Sequence, residues 1–135
     1  MPRIFGLNLT GLLVTSVAFF ALGFVWYDVL FAQKWMVLMG MDATATGGPL
    51  VLPLALGFAN VLIVSLGLGL FLKWLNVSTL LTAVKYGLIA CVCFALTTIA
   101  YDVIYAGRSL TLFVLNGAYN VVGYAMVAAI WTFFK

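Results

Sequence analysis

The sequence predicts an all-α integral membrane protein. Four transmembrane helices form two parallel-repeat helical hairpins, with a short interfacial helix after helix 1. Three observations carry this prediction. Of 135 residues, 67% are hydrophobic and 7% charged, and there is no histidine. Soluble domains carry about 25% charged residues, so this chain lacks the polar groups to coat itself against water, and a bilayer is its natural solvent. Its apolar residues gather into four runs, at about 5–27, 50–72, 79–101 and 111–134, each near the roughly 20 residues a spanning helix needs. Finally, the end of the first run recurs at the end of the third without a gap. The chain reads as a single membrane domain over 1–135, with one repeat at about 5–73 and the other at about 79–135.

The first run follows Arg3 and continues to Tyr27 with no small-residue cleavage site before a polar segment, so it is expected to be a retained helix and not a signal peptide. The long connection after it, "DVLFAQKWMVLMGMDATATGGP", begins amphipathic and aromatic and ends in turn chemistry. Trp35, Val37, Leu38, Met39 and Met41 are suited to lying at the headgroup boundary, and "DATATGGP" to a solvated loop. Pro49 and Pro53 open the second run, where proline costs little because the first helical amides lack partners anyway. The connections "KWLNVST" and "DVIYAGRS" are tight. Cys91 and Cys93 lie two apart inside the third run. That spacing points them to nearly opposite helix faces, as small apolar filler and not as joint metal ligands.

Charges sort by side. Arg3, Lys73, Lys85 and Lys135 fall with the chain ends; Asp28, Lys34, Asp42, Asp102 and Arg108 fall on the other side. The basic count, four against two, places both termini in the cytoplasm. Lys85 stands about one turn into its run, within snorkelling reach of the headgroups.

In the repeat, "FALGFVWYDVLFAQK" (20–34) lies on "FALTTIAYDVIYAGR" (94–108). Tyr27-Asp28-Val29 meets Tyr101-Asp102-Val103, and Lys34 meets Arg108. A weaker echo sets "GFANV" at Gly57 against "GAYNV" at Gly117, pairing Asn60 with Asn120. Two helices per unit is an even number, so both units cross in the same sense, related by a pseudo-two-fold axis along the membrane normal.

The candidate interaction or functional residues follow from this pattern: Trp26, Tyr27, Asp28, Lys34, Trp35, Asn60, Tyr101, Asp102, Arg108 and Asn120. The aromatic residues read as an interfacial belt. The aspartates read as helix ends in water beside Lys34 or Arg108, or as carboxylates near the pseudo-axis that bind a cation or pass a proton. Asn60, Asn116 and Asn120 read as hydrogen-bonded glue between helices, or as a transport path. Asn8-Leu9-Thr10 and Asn76-Val77-Ser78 match the glycosylation pattern but fall on the cytoplasmic side or in the membrane. No serine or cysteine has an activating partner and no imidazole is present. The expectation is therefore no enzyme, no cofactor and no metal. Sparse charge also argues against nucleic acid.

At "GFVWYDVLFAQKWMVLMG" (23–40) the chain resembles a bacterial membrane family known as domain of unknown function 1761. Gly23, the pairs Trp26-Tyr27 and Leu30-Phe31, and Lys34, Trp35 and Met36 carry the likeness. The resemblance implies a small four-helix protein of the bacterial inner membrane and supplies no activity. Together these readings lead to a non-enzymatic integral membrane protein, an interaction or accessory subunit of a larger membrane complex. Its partners would be the lipid bilayer and another membrane protein or a second copy. The rival expectation is a small ion or solute transporter or channel, as a monomer or homodimer.

Overall fold

The computed structural model describes residues 3–31, 34, 37 and 51–134, with the side chains of Asp28 and Val51 outside the described set. Helix does not begin at residue 5 as expected from hydropathy. Strands β1 (Arg3–Ile4) and β2 (Leu7–Asn8) pair antiparallel. Phe5 and Gly6 between them have φ of 52° and 82°, the two left-handed residues of a tight hairpin turn. Gly6 takes that conformation without strain, which is why so short an apolar segment folds back before the helix starts. Asn8 then caps α1 (Leu9–Phe24), its side chain accepting from the Thr10 amide at 2.9 Å and the Gly11 amide at 3.4 Å. The buried Asn8 side chain thus has a structural job that explains the asparagine without glycosylation. Asn8→Ala is expected to cost about 1 kcal/mol, measurable by equilibrium unfolding in detergent.

α1 continues into a π-helical stretch, Val25–Leu30. α2 covers Val51–Trp74, with Pro53 in its first turn. It ends in a paired hydrogen-bond cap: the Val77 amide donates to the Leu72 carbonyl at 2.9 Å and the Asn76 amide to the Lys73 carbonyl at 3.0 Å. Asn76 sits at φ 55°, the left-handed position that this cap requires and that asparagine tolerates. Thr79 caps α3 (Leu80–Ala90), so Asn76, Val77 and Thr79 of the "NVST" turn each have a backbone role. α3 runs through a second π stretch, Cys91–Leu96, into α4 (Thr97–Ile104). Wide turns leave carbonyls poorly paired. Here the hydroxyls of Thr97 and Thr98 donate back to the carbonyls of Cys93 and Phe94, at 2.9 and 2.6 Å. Such back-bonding satisfies backbone where no water is at hand. α5 covers Leu110–Trp131 behind a Ser109 cap.

Four rods result, Leu9–Tyr27, Leu52–Trp74, Leu80–Ile104 and Leu110–Trp131, with mean hydropathies between 1.5 and 2.2. Each is long and apolar enough to cross a membrane. α5 is the hub, packing against the other three rods. Against α3 the seam is built from small residues: Ala83, Gly87 and Cys91 are buried one turn apart. A Cβ on Gly87 would lie 2.8 Å from the Ala128 Cβ and 3.1 Å from the Tyr124 carbonyl oxygen. Small residues at this spacing let helix backbones approach closely. Against α1 and α2 the hub instead fits large rings over glycine, with Phe19 against Gly123 and Trp131 against Gly69 and Gly11. The hydroxyls of Ser16 and Ser65 are buried without a hydrogen-bond partner among the described residues.

Packing between the hairpins is unequal. α1 lies along α5, whereas α2 and α3 scarcely touch. A cleft of about 300 Å³ opens there, lined by Val64, Gly67, Phe71, Ala90, Phe94 and Tyr124. Contacts at both ends of α5 set the directions. Gly11 meets Trp131 and Phe134, whereas Trp26 meets Leu115; likewise Gly87 meets Ala128, whereas Gly117 meets Leu96. The first and third rods therefore run the same way. This sets Asp28 and Asp102 at one end of the bundle and Arg3 and Lys73 at the other. Of the expected interfacial helix, only Lys34 and Val37 are described, both exposed. Trp35 and the remainder of that segment lie outside the described residues.

Candidate functional site

Sequence reading gathers its candidates around two "YDV" turns, and the structure treats those turns differently. At the first, the π stretch sets one extra residue into the turn, and the consecutive side chains of Trp26 and Tyr27 both reach α5. The Trp26 indole Nε1 donates to the Leu115 carbonyl at 3.2 Å. The Tyr27 hydroxyl donates to Asn116 Oδ1 at 2.6 Å. The Phe31 amide closes the wide turn on the Trp26 carbonyl at 3.0 Å, and the Phe31 ring lies 5.1 Å from that of Trp26.

Tyr119 on α5 joins the rings into one cluster. Its ring centroid is 5.1 Å from Tyr27 at 65°, 5.3 Å from Phe19 and 6.4 Å from Trp26. Edge-to-face and tilted contacts of this kind are worth about 0.5–1.5 kcal/mol beyond area burial. The Tyr119 hydroxyl points at Gly23, where a Cβ would stand 3.0 Å from it. Glycine here makes room for a ring carried on the opposite helix.

Beside the cluster is a cavity of about 280 Å³ between α1, α2 and the first half of α5, lined by Gly23, Tyr27, Pro53, Gly57, Asn60 and Tyr119 among others. Three hydrogen-bonding side chains, Tyr27, Asn60 and Tyr119, thus share an apolar wall. The structure brings together Trp26, Tyr27 and Asn60 of the sequence candidates. Asn60 lies at a cavity rim and is exposed, so the glue expected of it is made elsewhere, by Asn116. Asn120 turns its amide to its own helix, donating to the Asn116 carbonyl at 2.8 Å. The helix face through Gly57, Asn60, Val64 and Gly67 borders the two clefts; a Cβ on Gly67 would meet nothing within 4 Å.

The second turn stays outside. Tyr101 is exposed and stacks on Tyr105 at 5.9 Å and 27°. Asp102 is exposed, and its carbonyl accepts from the amides of Ala106 at 3.2 Å and Arg108 at 3.0 Å, around Gly107 at φ 69°. The recurrence of "YDV…A…basic" therefore ends a helix in both copies, but only the first copy turns its aromatic residues into the bundle. Arg108 is exposed beyond that turn, and Lys34 is exposed at its counterpart. Cys91 is buried and Cys93 exposed, on different faces as their spacing implies.

Sequence reasoning did not single out Tyr119, although it stands inside the "GAYNV" echo and one turn beyond Asn116. Tyr27→Phe leaves Asn116 Oδ1 without its donor. It is expected to cost about 1 kcal/mol, seen as easier unfolding in detergent with unchanged helicity.

Fold and site together define a class: a bundle of four bilayer-length helical rods with an aromatic-walled cleft between three of them. More particularly, the chain belongs to the family described as Protein of unknown function (DUF1761), whose model matches residues 10–132. That match takes in all four rods and the Trp26-Tyr27 turn. No curated protein and no solved structure matches the chain significantly.

Proposed function

We propose that this chain is a non-enzymatic integral membrane protein of the bacterial inner membrane, an interaction or accessory subunit that packs within the bilayer against another membrane protein or a second copy. One observation carries the reading. No more than 28% of the most apolar stretch of any rod is buried within the chain, and the described turns between rods are short. Apolar rod flanks are then the surface on offer, and Ile63, Phe71, Ile89 and Phe94 stand exposed on the two rods that border the open α2–α3 seam. Mild detergent extraction followed by native mass analysis tests this. Recovery with a stoichiometric partner, or as a defined multimer, is expected; a bare monomer under several mild detergents would count against it.

The cleft holding Tyr27, Asn60 and Tyr119 favours a second reading, a small solute or ion transporter. Hydrogen-bonding groups facing a cavity at membrane depth are a functional-site signal. Flux into vesicles that disappears in Asn60→Leu, with the fold retained, would select it. Asp28→Asn and Asp102→Asn test the carboxylates in the same assay.

The finer topology belongs to the same proposal. Both termini lie in the cytoplasm, the segment around Trp35 lies flat in the interface, and the two hairpins are parallel repeats. The shared direction of the first and third rods supports the repeat. A reporter fused after Lys135 should be active in the cytoplasm, since Lys and Arg set orientation; periplasmic activity would reverse it.

A further inference from the structure

At the end of the bundle opposite the aromatic cleft, the N-terminal hairpin folds over the ends of α2 and α5. Under it lies a cavity of about 380 Å³. Its polar rim holds Arg3, Lys73 and Asn76, and its floor holds Leu72, Trp131 and Phe134; no acidic residue lines it among the described residues. The two cations converge because Phe5 and Gly6 turn the hairpin back. One Arg3 guanidinium N–H donates to the Gly6 carbonyl at 2.8 Å. The Lys73 ammonium donates to the Phe5 carbonyl at 3.4 Å, long for such a bond.

Helix-end carbonyls do not account for these charges. The amides of Asn76 and Val77 already close α2, and those of Thr132, Phe133 and Phe134 close α5. Arginine has five N–H donors and lysine three, so most of the donor capacity here is unspent on the contacts above. The indole N–H of Trp131 is likewise committed, donating to the Ser65 carbonyl at 2.8 Å, and its ring serves as apolar wall. A cationic, acid-free rim over an apolar floor is the shape of an amphiphile's site.

We propose that this cavity binds the phosphate oxyanion of an anionic phospholipid. Arg3 and Lys73 face the phosphate, and the Leu72–Trp131–Phe134 wall lies against the first acyl carbons. The inference rests on the rods crossing a bilayer, which puts this end at headgroup depth, where basic pockets between helices hold such headgroups.

The test uses the purified full chain, delipidated and offered an equal mixture of phosphatidylglycerol and phosphatidylcholine, with bound lipid counted by native mass spectrometry. Wild type should retain the anionic lipid with a preference on the order of tenfold, as two basic contacts imply. Arg3→Gln with Lys73→Gln should bring the ratio near one, while Lys73→Arg keeps it. Both side chains are exposed, so helicity by circular dichroism should not change; if the double variant misfolds, the single substitutions give the same reading at reduced amplitude. A wild-type ratio near one would overturn the proposal. So would a preference that survives the double substitution, or displacement of the lipid by millimolar inorganic phosphate. Failure of the membrane reading itself looks different: the chain would be recovered without detergent.

Discussion

Gly123→Val is expected to be among the most damaging single substitutions in this protein. An added Cβ at this position falls 2.8 Å from Phe19 Cζ, with two further ring atoms also inside contact distance. Phe19 is 2% exposed and is held on both sides, by Tyr119 at 5.3 Å and by Tyr124 at 6.3 Å. The ring has nowhere to go unless α1 moves off α5. Overpacking typically costs about 1–3 kcal/mol. Partial loss of a buried phenylalanine, worth about 3–5 kcal/mol when removed outright, pushes the expectation to about 3 kcal/mol or more. Denaturant unfolding in detergent measures it, and the Phe19→Ala, Gly123→Val pair checks the cause. If the clash with Phe19 is the source, the second substitution should cost much less once the ring is gone. The control is Gly67→Ala, at an open position on α2. Relieving a mid-helix glycine there is expected to stabilise by about 0.5–1 kcal/mol. Equal effects at the two glycines would refute the ring-over-glycine account of the seam.

Trp131→Ala is expected to be comparably severe, with a loss of about 3–5 kcal/mol. The indole is 5% exposed. It fills the space above Gly69 and Gly11, whose added Cβ atoms would lie 2.7 and 2.8 Å from its ring. It also ties α5 to α2 through the Ser65 carbonyl, and it forms the floor beneath Leu7 and the hairpin. Trp131→Phe separates these roles. Phenylalanine keeps most of the apolar contact and loses the N–H, so it should cost about 1–2 kcal/mol. Because the hairpin rests on the same ring, Trp131→Ala should also raise amide exchange at Leu7 and Asn8 before the rods open. Protection there at the wild-type level, alongside a full loss of stability, would separate hairpin docking from the tryptophan.

How much of this was legible beforehand depends on the physics behind each feature. Rod number, rod length and the sorting of charge to two ends all follow from composition along the chain, because a bilayer-length apolar run has few other solutions. The Cys91 and Cys93 faces follow from helical spacing alone. The start of α1 did not, because hydropathy is blind to a two-residue left-handed turn at Phe5 and Gly6. For the same reason Asn8 and Asn76 look like modification sites in one dimension and prove to be a helix cap and a left-handed helix end. Both π stretches were likewise invisible, since nothing in local propensity marks where a helix widens.

The candidate site divides along the same line. Trp26 and Tyr27 stand out in any reading as an aromatic pair at the end of an apolar run, and Asn60 as an amide inside one. Which of the polar residues would meet was a tertiary matter. Asn116 and Tyr119 meet Tyr27 only because α5 runs antiparallel to α1, and Tyr101 is left outside although its sequence context copies that of Tyr27. By itself the sequence determined that the chain must hide its backbone in helices and that those helices end where the charges are. Only the tertiary structure decided which faces touch. In a chain apolar on nearly every side, hydrophobicity does not distinguish one face from another. The choice falls to close packing, with rings finding glycines and small residues finding backbone, and that complementarity exists only between helices, never along one.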